Sequence, residues 1–259
     1  MYLLIALAVL ILIYGYFIEP RWLAVRKYRE PLIAKPTTWL KIAFLSDFHA
    51  GGAIPANWWE RIVLETNAHA PDIVVLGGDF VVDHASAVSK LAPLKDLRAP
   101  DGVFFVLGNH DFLDRPQDIR TAFVDMGFAD LTNRSIRLKQ EGKEVEIQGL
   151  DDHWYGAPQP FARSNPVVPH ILIAHEPDVM LDLEHGKTDL VLVGHTHGGQ
   201  IRLPILGAPW IPAKLGRFAD GGRKMRNGVP FVMGRGLGQE RGRPRIGARP
   251  EIVIVEVGV

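Results

Sequence analysis

Five apolar runs of strand length, each closed by a short polar fragment, constrain this chain more than any other feature. Ile42-Ala43-Phe44-Leu45 leads to Asp47-Phe48-His49, and Ile73-Val74-Val75-Leu76 leads to Gly78-Asp79. Val103-Phe104-Phe105-Val106-Leu107 leads to Gly108-Asn109-His110-Asp111, Ile171-Leu172-Ile173-Ala174 to His175, and Leu190-Val191-Leu192-Val193 to Gly194-His195-Thr196-His197. Continuous runs rich in β-branched residues and Phe read as strands buried on both faces of a sheet. Helix-length segments separate several of them, 57–69 with Trp58 and Ile62, and 85–97 with Val88, Leu91 and Leu94. Strand–helix–strand alternation predicts an α/β fold with a largely parallel sheet.

In open α/β sheets, sites form beyond the carboxyl ends of the strands. All five polar fragments fall there, so they are expected to converge although they span much of the sequence. Gly77-Gly78, Gly108 and Gly194 immediately precede the polar residues, where glycine lets the chain leave a strand sharply and approach an ion closely. The fragments supply oxygen donors from Asp47, Asp79 and Asn109 and imidazoles from His49, His175, His195 and His197, with His110 in reserve. That set is enough for two metal ions. Two cations roughly 3.5–4 Å apart neutralise phosphoryl oxygens, acidify a bound water and hold nucleophile and leaving group in line. Mixed nitrogen and oxygen donors suit Mn, Fe, Zn, Co or Ni better than Mg or Ca. The chain has no Cys, which excludes thiolate sites, iron–sulfur clusters and disulfides.

The order D-x-H, G-D, G-N-H-D, H and G-H-x-H resembles the calcineurin-like metallophosphoesterase family over roughly residues 40–258. Gly194-His195-Thr196-His197-Gly198-Gly199-Gln200, Gly234-Arg235-Gly236-Leu237-Gly238 and Arg249-Pro250-Glu251-Ile252 resemble its membrane-associated bacterial branch, some members of which hydrolyse UDP-2,3-diacylglucosamine. The resemblance implies a four-layer α/β/β/α sandwich carrying two divalent transition-metal ions, with Mn foremost. One ion is then held by Asp47, His49, Asp79 and His197, and the other by Asp79, Asn109, His175 and His195, with Asp79 bridging. It also implies a phosphoesterase in which metal-activated hydroxide attacks phosphorus directly. His110 would serve as the group that contacts the phosphate or protonates the departing oxygen, and Asp111 would orient that imidazole. Phe48 stands where many relatives have Leu, an apolar exchange. The substrate expected is a phosphodiester or diphosphate; the alternatives are a phosphomonoester or nucleotide diester in solution, or a non-catalytic scaffold, which would have lost ligands that this chain keeps.

Other polar clusters carry less. Arg235, Arg241, Arg243, Arg245 and Arg249 lie among Gly and Pro. Arg matches phosphate through its planar fork, and Arg235, in the Gly-Arg-Gly-Leu-Gly turn, is the foremost candidate for substrate contact; the other reading is a solvated loop. Asp151-Asp152 is read as a turn pair, and His69, His84, His153, His170 and His185 fit no motif position. With 29 basic and 29 acidic side chains the formal net charge is zero, and no basic, aromatic-interleaved stripe points to nucleic acid.

Residues 1–18 carry no charged side chain. As a helix they reach about 27 Å, close to a ~30 Å hydrocarbon core, and Trp22 extends the segment as an interfacial aromatic. An uncleaved single-span anchor is favoured over a cleaved signal, because no basic region precedes it and no Ala-x-Ala site follows, and over an interfacial helix, because no face is polar. Arg21, Arg26, Lys27 and Arg29 then place the catalytic domain at the cytoplasmic face of a bacterial inner membrane. The expected organisation is an anchor over 1–18, a juxtamembrane linker over 19–40 with Pro20, Pro31 and Pro36, and a catalytic domain over 41–259. Residues 135–149 are expected to form a hairpin around Glu141-Gly142-Lys143. Residues 155–169, with Pro158, Pro160, Pro166 and Pro169, are expected to form a loop near the site. The stretch 204–227, with Trp210, Ile211 and Leu215, is either a lid or membrane-facing loop, or packing beneath the domain.

Overall fold

The computed structural model describes residues 1–52, 54–55, 57–159, 163–184 and 186–259. Pro160 and His185, named above, lie outside the described residues, as does the side chain of Arg241. The strands form two six-stranded sheets. The first runs in the spatial order β1 (Ala24–Pro31), β12 (Glu251–Gly258), β2 (Trp39–Leu45), β3 (Ile73–Gly77), β4 (Val103–Val106) and β5 (Ala129–Asp130). The second runs β10 (Gly222–Arg226), β11 (Val229–Met233), β9 (Leu190–Val193), β8 (His170–Ile173), β7 (Lys143–Gly149) and β6 (Arg134–Gln140). Strands β2 to β5 are parallel, as are β7, β8, β9 and β11. The predicted hairpin is β6–β7, paired antiparallel from Arg134↔Gly149 to Gln140↔Lys143.

The layering follows from the two-residue period of a strand. Leu40, Ile42 and Phe44 of β2, Val253, Val255 and Val257 of β12, and Ile171 and Ile173 of β8 point into the space between the sheets. Their neighbours Ala43, Leu45, Ile252 and Ile254 face the outer helices instead. Leu172, Val191 and Val193 face the opposite outer layer. That demand on both faces is why these strands read as unbroken apolar runs. One outer layer contains α2 (Trp58–Ala68), α3 (Pro116–Asp125) and the 3₁₀ segment Ala85–Asp96. The other contains the short 3₁₀ turn Pro177–Leu181, together with Ala208, Ile211 and Ala219.

One expectation changes. The segment 85–97 is not an α-helix: Ala85, Val88, Leu91, Leu94 and Leu97 are buried at every third position, which is the period of a 3₁₀-helix, and Pro93 removes a backbone donor. Residues 19–40, expected as a juxtamembrane linker, contain a strand. Residues 24–31 form β1, an edge strand paired parallel to β12 from Ala24↔Glu251 to Pro31↔Gly258. Its charged side chains Arg26, Lys27 and Arg29 project outward, as edge strands tolerate. Buried Glu30 joins β1 to Arg223 of β10, linking the two sheets at their margins.

The amino-terminal segment is α1 (Tyr2–Ile13), continued through turns to Arg21. These 20 residues make one helix long and apolar enough to cross a membrane, and the side chains of α1 are exposed. Its foot is built into the domain. Gly15 packs against Pro244 and Ile246, where a Cβ would lie 2.9 Å from the Pro244 side chain. The Gly15 carbonyl accepts from Arg245 N at 2.9 Å. The buried Glu19 carboxylate accepts from Gly247 N at 2.9 Å and Ala248 N at 2.5 Å.

Candidate metal centre

Each polar fragment follows the carboxyl end of a strand, and the two sheets present those ends to one cleft. Asp47 and His49 follow β2, Asp79 follows β3, Asn109 and His110 follow β4, His175 follows β8, and His195 and His197 follow β9. The chain turns sharply there: Asp47, His49, Asp79, His195 and His197 all have positive φ, between 45° and 71°. Non-glycine residues adopt that region rarely, and such strain collects at functional sites. The bed beneath is aromatic. Phe48 packs on Trp59 and Phe80, and Phe80 meets Phe123 edge-on at 4.3 Å between centroids; each such pair contributes about 0.5–1.5 kcal/mol beyond area burial.

All seven expected ligands are buried and mutually close. His49, His197 and Asp47 form one group of donor atoms within 4.8 Å of one another; Asp79, His175 and His195 form a second; His49, Asp79 and His110 form a third. His49 Nε2 lies 2.9 Å from His197 Nε2 and 3.5 Å from Asp79 Oδ2. Asp47 Oδ1 lies 3.5 Å from His197 Nε2. On the other side, His175 Nε2 is 3.2 Å from Asp79 Oδ2, and His195 Nδ1 is 2.9 Å from Asn109 Oδ1. Asp79 thus stands between the two clusters, its Oδ2 facing His49 on one side and His175 on the other. The remaining ring nitrogens set the tautomers: His175 Nδ1 donates to the Gly77 carbonyl at 2.7 Å, and His195 Nε2 donates to the Pro212 carbonyl at 2.9 Å. With Nδ1 of His175 and Nε2 of His195 so engaged, the other nitrogen of each ring faces the centre, the arrangement that orients metal-bound imidazoles.

Divalent cations fit this donor set. His175 Nε2 is a buried nitrogen without a hydrogen-bond partner, facing a carboxylate oxygen across a gap that needs positive charge. Burial opposes a charge on Asp79, but the neighbouring His175 outweighs it and holds the carboxyl well below its usual range. Burial likewise opposes a proton on His175, and Asp79 reverses that, raising the ring well above its ordinary value. Burial lowers His49 to about 3 and His195 to about 4, leaving them as neutral donors at pH 7. Glycine makes the close approach possible. A Cβ at Gly108 would stand 2.5 Å from Asp79 Oδ1, and one at Gly194 would stand 2.6 Å from Asp47 Oδ2.

His110 sits at the cleft, edge-on to His49 at 4.7 Å between centroids. Its Nδ1 contacts the Val82 carbonyl at 2.6 Å. The Asp111 carboxylate bonds to backbone N–H groups. Its Oδ1 accepts from Phe80 N at 2.8 Å and Val81 N at 3.3 Å, and its Oδ2 from Gly108 N at 2.9 Å. The carboxylate ties the loops after β3 and β4 together, while the Val82 carbonyl orients the imidazole. Arg235 lies along the backbone of Gly198 and Gly221 and does not line the cleft; its Nε is buried without a partner.

Several site residues escaped the sequence reading. Arg245 was visible only as one of five arginines, yet it is fully buried, and its Nη2 lies 3.0 Å from His197 Nδ1. Trp154 packs edge-on against His195 at 4.5 Å between centroids. Asp152 holds it there by accepting from Trp154 N and Tyr155 N, the turn role expected of the Asp151-Asp152 pair. Glu176, next to His175, is raised well above the usual carboxyl range by burial and by its hydrogen bond with Asp152. Trp154, Trp210, Pro212 and Glu240 complete a cleft of about 260 Å³ over the centre.

Comparison with known proteins agrees with this geometry. The family profile described as calcineurin-like phosphoesterase matches residues 40–199. Phosphodiesterase YaeI of Escherichia coli (strain K12) is 28% identical over 252 residues, covering 94% of this chain and 92% of that protein. Metallophosphoesterase YkuE of Bacillus subtilis (strain 168) is 31% identical over 255 residues, covering 93% and 88%. A Bos taurus protein named transmembrane protein with metallophosphoesterase domain is 31% identical over 184 residues, covering 62% of this chain and 41% of its own length.

Proposed function

The chain belongs to the calcineurin-like phosphoesterase family, and we propose that it hydrolyses a phosphodiester or diphosphate carried by a membrane lipid or lipid precursor of the UDP-2,3-diacylglucosamine kind. It is a hydrolase of phosphate esters. The observation that carries the lipid reading is the foot of the apolar helix. Gly15 and Glu19 hold the segment 245–248, and Arg245 of that segment touches His197. The helix is therefore joined to the metal-centre scaffold with no flexible spacer between them, and a bilayer around α1 would lie close to the cleft.

In this reading Asp47, His49, Asp79 and His197 hold one divalent cation, and Asp79, Asn109, His175 and His195 hold the other, with Mn foremost among Mn, Fe, Zn, Co and Ni. When bound, two such ions neutralise the phosphoryl oxygens and activate water for attack on phosphorus. The chain supplies the rest. The Gly77 and Pro212 carbonyls keep His175 and His195 in the donor tautomer. The Val82 carbonyl accepts a hydrogen bond from His110 Nδ1–H, so Nε2 is the nitrogen left for the substrate, and a second proton held there is the one that passes to the leaving oxygen, returning the ring to its neutral form. Arg235 is a secondary candidate for contact with a second phosphate. The anchor is proposed to span a bacterial inner membrane, with the domain on the cytoplasmic side by virtue of Arg21, Arg26, Lys27 and Arg29.

The test is a side-by-side assay of the Mn-loaded full chain in mixed micelles on UDP-2,3-diacylglucosamine, a generic phosphodiester and a phosphomonoester. The highest kcat/KM is expected on the lipid-linked substrate. A highest value on either soluble ester would overturn the lipid reading and favour a soluble substrate.

A further inference from the structure

The stretch Leu203-Pro204-Ile205-Leu206-Gly207-Ala208-Pro209-Trp210-Ile211-Pro212-Ala213 is eleven residues without a charge, bracketed by Arg202 and Lys214. Two of its side chains behave as core: Ala208 and Ile211 are buried. Others do the reverse. Leu203, Ile205, Leu206 and Trp210 are 45%, 105%, 63% and 60% exposed, and Pro204 between them is exposed too. Scattered apolar side chains on a surface mean little, but a contiguous patch marks a contact.

Its backbone is built to present those side chains. Leu203 and Gly207 exchange hydrogen bonds at 2.9 Å in each direction, closing a tight turn with Ile205 at its tip. Ile205 has φ of 67°, a conformation in which a β-branched residue is a genuine outlier. A strained backbone that exposes a whole isoleucine is disfavoured twice in water, and the exposure cost is removed where the tip enters an apolar medium, leaving only the backbone strain.

The turn also stands beside the foot of the amino-terminal helix. Ile201 bridges to Ile246, and Arg202 N donates to the Ile246 carbonyl at 2.7 Å. Ile246 packs on Gly15, and its neighbours Arg245 and Gly247 bond Gly15 and Glu19. Ile205 lies four residues beyond Ile201, at most about 13 Å along an extended chain. That reach is comparable with the ~5–10 Å to which interfacial segments sink below the headgroups. Exposed Lys214 and Arg217 flank the patch, placed to meet anionic headgroups.

We propose that the turn Leu203–Gly207, with Trp210 as its interfacial aromatic, is a second bilayer contact beside the helix foot, and that it seats the phosphoesterase cleft at the membrane surface. Trp210 and Pro212 wall both the cleft over the metal centre and an adjoining cavity of about 280 Å³ with Ile201 and Pro209. Insertion of the turn thus brings the mouth of the cleft to headgroup level. The inference rests on the membrane part of the proposed function, not on the identity of the substrate.

The chain has no Cys, so Ile205→Cys creates a unique labelling site on the full chain. A nitroxide placed there is measured in vesicles of phosphatidylethanolamine and phosphatidylglycerol for collision with oxygen, which concentrates in lipid, and with a water-soluble nickel chelate. Leu7→Cys in α1 and Leu64→Cys on the exposed side of α2 are the lipid and water references. The Ile205 label, and independently a Leu206→Cys label, should favour oxygen as the Leu7 label does. Accessibility to nickel like that at Leu64 overturns the proposal while leaving the anchor intact. Protection from both reagents overturns it in favour of a protein contact, such as a second copy of the chain. Neither readout requires turnover, so a failed substrate assay leaves this result unaffected.

Discussion

Replacing Arg245 with Met keeps the length and apolar volume of the side chain but removes its guanidinium. That group is fully buried. Its Nε donates to the Gly238 carbonyl at 2.8 Å, its Nη1 to the Arg235 and Ala248 carbonyls at 2.9 and 2.7 Å, and its Nη2 to Gly238 at 2.5 Å and toward His197 Nδ1 at 3.0 Å. Burial lowers its pKa to about 10, so it is charged at neutral pH, opposite the nearby carboxylates of Asp47, Glu251 and Glu19. Three carbonyls and one imidazole nitrogen lose their donor, at ~1 kcal/mol each at the low end for buried unsatisfied groups. Relief of a desolvated charge offsets part of this, leaving a net loss of about 3 kcal/mol. For a chain of this size that is a fall of roughly 6–12 °C in Tm. His197 also loses the contact that fixes its ring. The experiment is a thermal scan of the full chain in micelles, with metal counted by mass spectrometry. Arg245→Met should melt at the lower temperature and retain about one equivalent in place of two. Arg245→Lys, which keeps the charge but not the fork, should fall between. A Tm within ~2 °C of the parent with both equivalents retained would refute the reasoning.

Other outcomes follow from the same site. Asp79→Asn should deplete both cations, since Asp79 Oδ2 faces His49 on one side and His175 on the other; full occupancy by mass spectrometry would remove it from the bridging position. His110→Ala should lower turnover by about 10²–10⁴ with metal content nearly unchanged, because its Nδ1 is engaged by Val82; loss of metal instead would make it a ligand. Stripping the cations with a chelator should lower Tm, and restoring Mn at 100 times its Kd should recover about 2.7 kcal/mol. A melting curve indifferent to Mn would show that the buried donors do not hold it.

The polar fragments at the strand ends were legible because their signals are local. A strand buried on both faces must be apolar without interruption, so Asp47, Asp79, Asn109, His175 and His195 stand out where each run stops. Glycine at Gly108 and Gly194 leaves the space that the adjoining carboxylates fill. The edge strand β1 was not legible. Its pairing with β12 needs only backbone groups, and Arg26, Lys27 and Arg29 disguise it as a polar connector. The 3₁₀ segment was hidden because a three-residue apolar period and an α-helical one coincide over a few positions. Asp111 illustrates a different gap: its position in the motif was plain, but its partners come from the loop after β3, about 30 residues earlier.

The sequence alone determined the donor set, its order along the chain and its place at strand ends, because residue type and strand period are written within a few residues. Only the tertiary structure decided that Arg245 turns inward, which carbonyls orient His175 and His195, and that the foot of the apolar helix and the residue leading into the Leu203–Gly207 turn both meet the segment 245–248 beside His197. Those contacts join residues up to 229 positions apart, such as Glu19 and Ala248. Partners at such separations are chosen by the packing of whole layers, which no local pattern encodes.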